Sequence, residues 1–289
     1  MQITYSESFI DYHKNLFDFD LFDSYMKKDM RKSIRVNALK ITPDKLFNKL
    51  GWKREKIPWA RNCFFIDEKY GIGATIEHNL GYYYVQKSSS MIAVEALNPK
   101  NRDTALDLCA APGSKTTQIA QLNSDGTVVA NEFDGKRALA LTANVSRMGV
   151  QNCIITRSDG GDFGKMAPGR FDCVLVDAPC SGVGVARKTP EVLKNWSSNY
   201  LNRISKIQKK LICSGFECLK KGGEMVYSTC STPVEENEDV VRYLQENYKN
   251  VKILDENLNL NFEKTEYGIR IYPWHNNTEC AFISKIKKE

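Results

Sequence analysis

Two cysteines close strand-like runs in motifs rich in small residues: Cys180 in Asp177-Ala-Pro-Cys180-Ser-Gly-Val-Gly184, and Cys230 in Tyr227-Ser-Thr-Cys230-Ser-Thr-Pro-Val-Glu-Glu-Asn237. A thiolate can add to carbon 6 of a cytosine ring and turn carbon 5, otherwise too weak a nucleophile, into one that accepts a methyl cation. The addition needs a partner at ring nitrogen 3 and the exocyclic amine, and Asp177 is the carboxylate within reach of both motifs. A second sulfur suits the later loss of the carbon-5 proton and the release of the first. Free cysteine, with a pKa of about 8.5, is a minority thiolate at neutral pH and gains from a nearby helix amino terminus. A helix expected from Pro233 favours the anion at Cys230. Any cysteine taken singly is more often a packing thiol; the pair, in register with an acid, is the unusual feature.

A methyl donor must lie opposite. Asp107-Leu-Cys-Ala-Ala-Pro-Gly-Ser-Lys-Thr116 leads from a strand into a helix, and the small residues at Ala110, Ala111 and Gly113 let backbone approach a ligand. Neither GxGxxG nor GxxxxGK[ST] is present, so a nucleoside without phosphates suits the turn better than a dinucleotide or triphosphate. S-adenosylmethionine is such a molecule. Glu132 ends the next strand, where an acid can accept both ribose hydroxyls, and Asp159 follows the third, in reach of an adenine amine.

The elements that would position these residues alternate. TALDLC, TVVANE, CIITR, FDCVLVD and GEMVYST read as strands; helices are expected from Ser114, through KRALALTANVSRMG, from Tyr200 to Lys220 and from Pro233 to Tyr248; VKILDE and ECAFISKI close the chain as strands. Such units specify an α/β fold, a Rossmann-like parallel sheet whose ligands sit at the carboxyl ends of its strands. Residues 1–92 form a small α+β amino-terminal domain and 93–289 the catalytic one. In the former, KSIRVNALKIT and NCFFIDE look like strands, and TPDKLFNKLGW like a helix closed by Gly51.

The 289 residues, 42% hydrophobic, suffice for a sizeable core. The polar start MQITYSESF carries no leader signature, and no apolar run is long enough to span a bilayer, so a cytoplasmic protein with no membrane partner is expected. Nine scattered cysteines without a CxxC pair, and three histidines away from ligand spacing, argue against a metal. The net charge is +6, yet Lys27 to Arg61 holds twelve Lys/Arg against three acids. With Phe47, Trp52 and Trp59 interleaved, that stretch suits a polyanion, cations for phosphates and rings for bases; a solvated helix face explains the charge equally well.

At these motifs the chain closely resembles the Sun (NSUN) family of RNA cytosine-5 methyltransferases. DLCAAPGSKT is similar to its donor loop, VDAPCSGVG to its release-cysteine motif and YSTCSTPVEEN to its nucleophile motif; SIRVNALKI, GYYYVQKSSSMIAVEAL and ANEFDGKRALALTANVSRMGV match as well. The resemblance covers nearly all the chain from Lys32 and decides what the chemistry leaves open. It implies attack by Cys230, release by Cys180 and contact of Asp177 with nitrogen 3. It further implies donor contacts at Cys109, Ala110, Ala111, Pro112, Gly113, Ser114, Lys115, Glu132, Arg137, Asp159 and Asp177, and RNA contacts at Arg35, Asn37 and Lys188. One departure is Thr278-Glu-Cys-Ala-Phe282, where family members carry a glycine.

Transfer RNA is the substrate expected first and ribosomal RNA second, with the target base flipped into the pocket of a monomer. RNA selection is expected from the amino-terminal unit and the catalytic face. A catalytically silent RNA-binding or assembly factor would not need Cys230, Cys180 and Asp177 together. An amino-group methyltransferase would need an aromatic after Asp-Pro-Pro, which Asp177-Ala-Pro-Cys180 lacks.

Overall fold

The structure, a computed structural model, describes residues 3–68 and 71–289. Met1 and Gln2 of the polar start lie outside the described residues, as do Lys69 and Tyr70.

The amino-terminal unit holds a four-stranded antiparallel sheet, β1 (Lys32–Val36), β2 (Arg54–Lys56), β3 (Cys63–Ile66) and β4 (Tyr83–Val85), in the order β2-β3-β1-β4. The helix Pro43–Leu50 covers it; Pro43 starts that helix and Gly51, at φ 66°, ends it in the left-handed conformation a glycine adopts at least cost. Ile34, Val36, Leu46, Phe47, Phe64, Ile66 and Tyr83 make the core between them. Phe47 and Trp59 are buried there or at the domain junction, where Trp59 Nε1 donates to the Ser88 carbonyl 3.0 Å away, and Trp52 packs edge-on against Tyr83. The expected stacking platform of Phe47, Trp52 and Trp59 is thus spent on packing.

The large sheet orders its strands β11-β12-β13-β9-β8-β5-β6-β7, with β10 on β13. These are β5 (Thr104–Asp107), β6 (Thr127–Asn131), β7 (Cys153–Thr156), β8 (Phe171–Asp177), β9 (Leu219–Thr229), β10 (Val251–Leu254), β11 (Glu263–Thr265), β12 (Gly268–Ile271) and β13 (Ala281–Lys288). β5 to β9 run parallel, and β13 is antiparallel to β9. The chain winds outward from β5 through β6 to β7, then returns to β8 on the other side of β5. This reversal opens a crevice at the carboxyl ends of β5 and β8. Both faces of the sheet are covered, one by helix Ile92–Leu97 with Ile119 and Ala120, the other by Leu211, Ile212 and Phe216 of helix Ser198–Cys218 with Val240, Val241 and Leu244.

The two units are joined by buried polar contacts. Asn37 Nδ2 donates to the carbonyls of Gly81 and Met148, and Arg35 Nη2 to Thr117 Oγ1. Arg35 is 1% and Asn37 0% exposed. Neither reaches a surface that RNA could touch, contrary to the sequence expectation: both sit where the small sheet docks on helices Ser114–Leu122 and Gly135–Met148. The first helices, Glu7–His13 and Phe19–Met26, were not read from the sequence. They pack Phe9, Phe22 and Met26 against Val183, Leu193 and Trp196 of the segment that follows Cys180.

A second correction concerns Pro233. A single 3-10 turn spans Val234–Glu236, and the α-helix starts only at Glu238. Asn237 interrupts it by accepting from Thr229 Oγ1 and donating to the Ser231 carbonyl, local bonds that compete with helix formation. Any helix-terminus help for Cys230 therefore comes from one short turn.

Candidate active site

A cavity of about 550 Å³ opens at the β5/β8 switch point, bounded by the loop Asp107–Lys115 on one side and by Asp177 and Cys230 on the other. The loop turns at Gly113, φ 101°; a Cβ there would meet Leu141 Cδ1 at 3.1 Å, so both conformation and space call for glycine. Thr116 Oγ1 donates to Asp107 Oδ2 at 2.7 Å, while Asp107 Oδ1 is buried without a partner among the described residues. Burial pushes the Asp107 carboxyl up to about 7, against its bond from Thr116.

Glu132 takes the amides of Ala111 and Asp134 and lies 3.5 Å from Arg137 Nη1; Arg137 also donates to the Ala111 carbonyl and lines the cavity. An acid with an unused oxygen, a second acid fixed by amides and small residues between them fit a phosphate-free nucleoside with a cationic tail. Cys109, Ala110, Ala111, Pro112, Ser114 and Lys115 all face this space. Asp159 does not. Its carboxylate caps the Gly160–Asp162 turn through Gly161 N and pairs with Lys210 at 2.9 Å. The bond to Lys210 holds it below the usual aspartate range, and its partner in this structure is Lys210 at the surface.

At the reacting side, Cys180 Sγ and Cys230 Sγ are 3.2 Å apart. They lie fifty residues apart in the chain, and adjacent parallel strands, β8 and β9, deliver them. Hydrogen bonding to Cys230 and then burial raise the Cys180 thiol well above its ordinary value, and either sulfur can donate across the contact. Gly184 N donates to the Cys230 carbonyl at 2.8 Å; a Cβ on Gly184 would stand 2.6 Å from the Cys280 carbonyl oxygen, which only glycine avoids. Asp177 accepts from Lys115 Nζ at 2.6 Å and Ser228 Oγ at 2.7 Å. Burial works to lower the Lys115 ammonium, and the charge and bond of Asp177 outweigh it, leaving it raised. Lys115 therefore joins the donor loop to the reacting residues. Burial raises the thiols of Cys109, Cys173 and Cys280.

Three features escaped the sequence reading. Glu236 is 0% exposed, and its carboxylate accepts from Ser181 N (2.8 Å), Gln208 Nε2 (2.9 Å) and Ser231 Oγ (2.8 Å), tying the residue after each cysteine to one group. Its place six residues beyond Cys230 was visible; its inward direction was not. Glu279, in the departing Thr278–Phe282 segment, is buried against Lys87 and accepts from Ser89 Oγ at 3.1 Å. Cys280, in the place of the family glycine, has no left-handed backbone, so a side chain is tolerated there. Finally, His13 from the first helix bonds Thr232 Oγ1 at 2.8 Å, just beyond Cys230. Lys188 is exposed on a second, smaller cavity.

Comparison with known proteins agrees with this geometry. Residues 94–287 match the family described as 16S rRNA methyltransferase RsmB/F, and residues 6–88 match the N-terminal domain of 16S rRNA methyltransferase RsmF. Proteins named ribosomal RNA small subunit methyltransferase F are 44% identical over 92% of this chain in Shewanella piezotolerans and 42% identical over 96% in Vibrio campbellii; each match covers 60% of the relative. The chain thus spans about 60% of the length of these curated relatives. Among solved structures, a methyltransferase homolog from Pyrococcus horikoshii superposes with a TM-score of 0.82 at 32% identity, covering 98% of this chain and 100% of that one. NSun6 from Pyrococcus horikoshii shares the fold, with a TM-score of 0.85 at 23% identity and 98% coverage of both chains. The cavity suits S-adenosylmethionine, the donor on which such methyltransferases depend. With a catalytic-domain match over residues 94–287 and an amino-terminal match over 6–88, the chain belongs to the RsmB/F family of RNA methyltransferases.

Proposed function

We propose that this protein transfers a methyl group from S-adenosylmethionine to carbon 5 of a cytosine in RNA, with small-subunit ribosomal RNA as the substrate. The observation that carries the reading is the pair of sulfurs 3.2 Å apart, of which that of Cys230 lines the cavity opposite the donor loop. S-adenosylmethionine, when bound, supplies an electrophilic methyl on a sulfonium. Cys230 Sγ, as thiolate, forms a bond to carbon 6 as the C5–C6 π pair shifts toward carbon 5; nitrogen 3 takes up a proton that Lys115 supplies by way of Asp177, and returns it when the sulfur leaves. Carbon 5 takes the methyl as the donor's S–CH3 bond breaks and leaves a neutral thioether; it then loses its proton to solvent, and the C–H bonding pair restores the C5–C6 double bond and expels Cys230 Sγ. The Cys180 thiol, hydrogen-bonded to that sulfur, stabilises it as it leaves, which suits Cys180 to release rather than attack.

The sequence motifs alone point first to transfer RNA; the names of relatives at 42–44% identity favour ribosomal RNA. Nine free cysteines suit a reducing cytoplasm. The test is to incubate the protein and donor separately with 16S ribosomal RNA and with total transfer RNA, then locate 5-methylcytosine by bisulfite sequencing. A modified cytosine in 16S RNA alone supports the reading. Modification of transfer RNA alone reverses the substrate, and no modification of either overturns the function.

A further inference from the structure

The second cavity, about 300 Å³, lies where the two units meet. The start of β1 contributes Arg31 and Lys32, the exit of β4 contributes Gln86 and Lys87, and the catalytic domain contributes Lys188 and the segment Asn277–Glu279. Among the described residues, four cations line it against one lining carboxylate, that of Glu279, which pairs with Lys87, while Arg31 pairs with Glu55. Lys188 has no ion-pair partner among the described residues. The loop that carries it begins at Cys180, and Arg187 anchors the loop's end by donating to Asn277 Oδ1 at 3.2 Å. Val85, Gln86, Lys87 and Glu279 line both this cavity and the one that holds Cys230, so the two share a wall. Among the described residues, no aromatic ring faces it.

We infer that this cleft holds the backbone phosphate and ribose of a nucleotide flanking the target cytosine, with Lys188 and Lys32 on the phosphate. This deepens the RNA reading above and rests on it. An RNA strand that places one base in the larger cavity must lead its neighbour out past the shared wall, and cations without stacking rings suit phosphate rather than base. Asn277, whose Oδ1 accepts from Arg187, has its Nδ2 left to donate to a 2′-hydroxyl, which would favour RNA over DNA. Grip by both units also gives the amino-terminal sheet a role in RNA positioning that the burial of Arg35 and Asn37 denies those two residues.

The experiment is a double-mutant cycle between protein and RNA. Small-subunit RNA fragments carry one neutral methylphosphonate at each position flanking the target cytosine, and wild type is compared with Lys188→Ala and Lys32→Ala. Binding is read by fluorescence anisotropy, and methylation by KM and kcat. Lys188→Ala is expected to weaken binding about fivefold and to reduce the salt slope by about 1. One methylphosphonate position should weaken wild type equally and add nothing to the variant. Penalties that multiply at every position would overturn the cleft. Coupled binding without any methylation would instead sink the functional reading and leave the cleft standing.

Discussion

Removing the carboxylate of Glu236 tests how the two cysteine loops are held in register. In Glu236→Ala, Ser181 N and one Gln208 Nε2 hydrogen lose their acceptor; Gln208 keeps its bond to the Pro179 carbonyl at 2.8 Å, and the Ser231 hydroxyl can turn to Ser181 Oγ, 3.2 Å away. Two buried donors left unsatisfied at roughly 1–3 kcal/mol each give a loss of about 4 kcal/mol. At roughly 2 °C per kcal/mol for a chain of this size, the melting temperature should fall by about 8 °C. Glu236→Gln keeps the volume but turns an amide toward donors, so a smaller loss, about 2 kcal/mol, is expected. Besides the bond from Cys230 and burial, the charge of Glu236 helps raise Cys180, so both variants should also speed alkylation of Cys180 relative to Cys230. Urea denaturation and peptide-level mass spectrometry after a short iodoacetamide pulse read the two effects. Stability within 1 kcal/mol of wild type together with unchanged alkylation would refute the clamp.

Two further predictions concern folding. Burial lowers His13 from 6.5 to about 4; the unfolded chain therefore binds the extra proton first, and the contribution of neutral His13 is intact above pH 6.5 and lost as pH falls toward 4, with a slope of at most about 1.4 kcal/mol per unit. Asp107, raised by burial, titrates in the opposite sense over part of that window, so the effect is isolated as the difference between wild type and His13→Phe in urea melts at pH 5 and 7; equal slopes would contradict it. Arg270→Met leaves Glu238 buried without its two-pronged partner, and should cost roughly 3–5 kcal/mol in the same assay. A loss below 1 kcal/mol would mean that Glu238 finds another donor.

Much of the scaffold was legible because its rules are local. FDCVLVD and TVVANE are continuous apolar runs of strand length, each followed by a helical period, and they became β8 and β6. Strands β2, β4 and β11, of three residues each, are too short to show a period and were not separated from their loops. The helix expected at Pro233 was displaced because the side chain of Asn237 bonds backward, a contact between strand end and turn that spacing does not reveal. Arg35, Asn37 and Trp59 show a second limit. Residue type announced a polar or stacking role, yet docking of the small sheet on the helices beside the donor loop turned those faces inward. Asp159 was read correctly as a strand-end acid, but Lys210, half a hundred residues later in sequence, claims it. The cysteine motifs were legible singly; their contact distance follows from β8 pairing with β9, where Asp177 lies opposite Ser228.

The central claim is that Cys230 forms the bond to the ring and Cys180 frees it. Its most direct test is to incubate Cys180→Ala and Cys230→Ala with donor and substrate RNA, denature, and map any protein–RNA link by mass spectrometry. The account predicts a denaturation-resistant adduct in Cys180→Ala, attached at residue 230, and neither adduct nor product in Cys230→Ala. An adduct or full turnover in Cys230→Ala would contradict it.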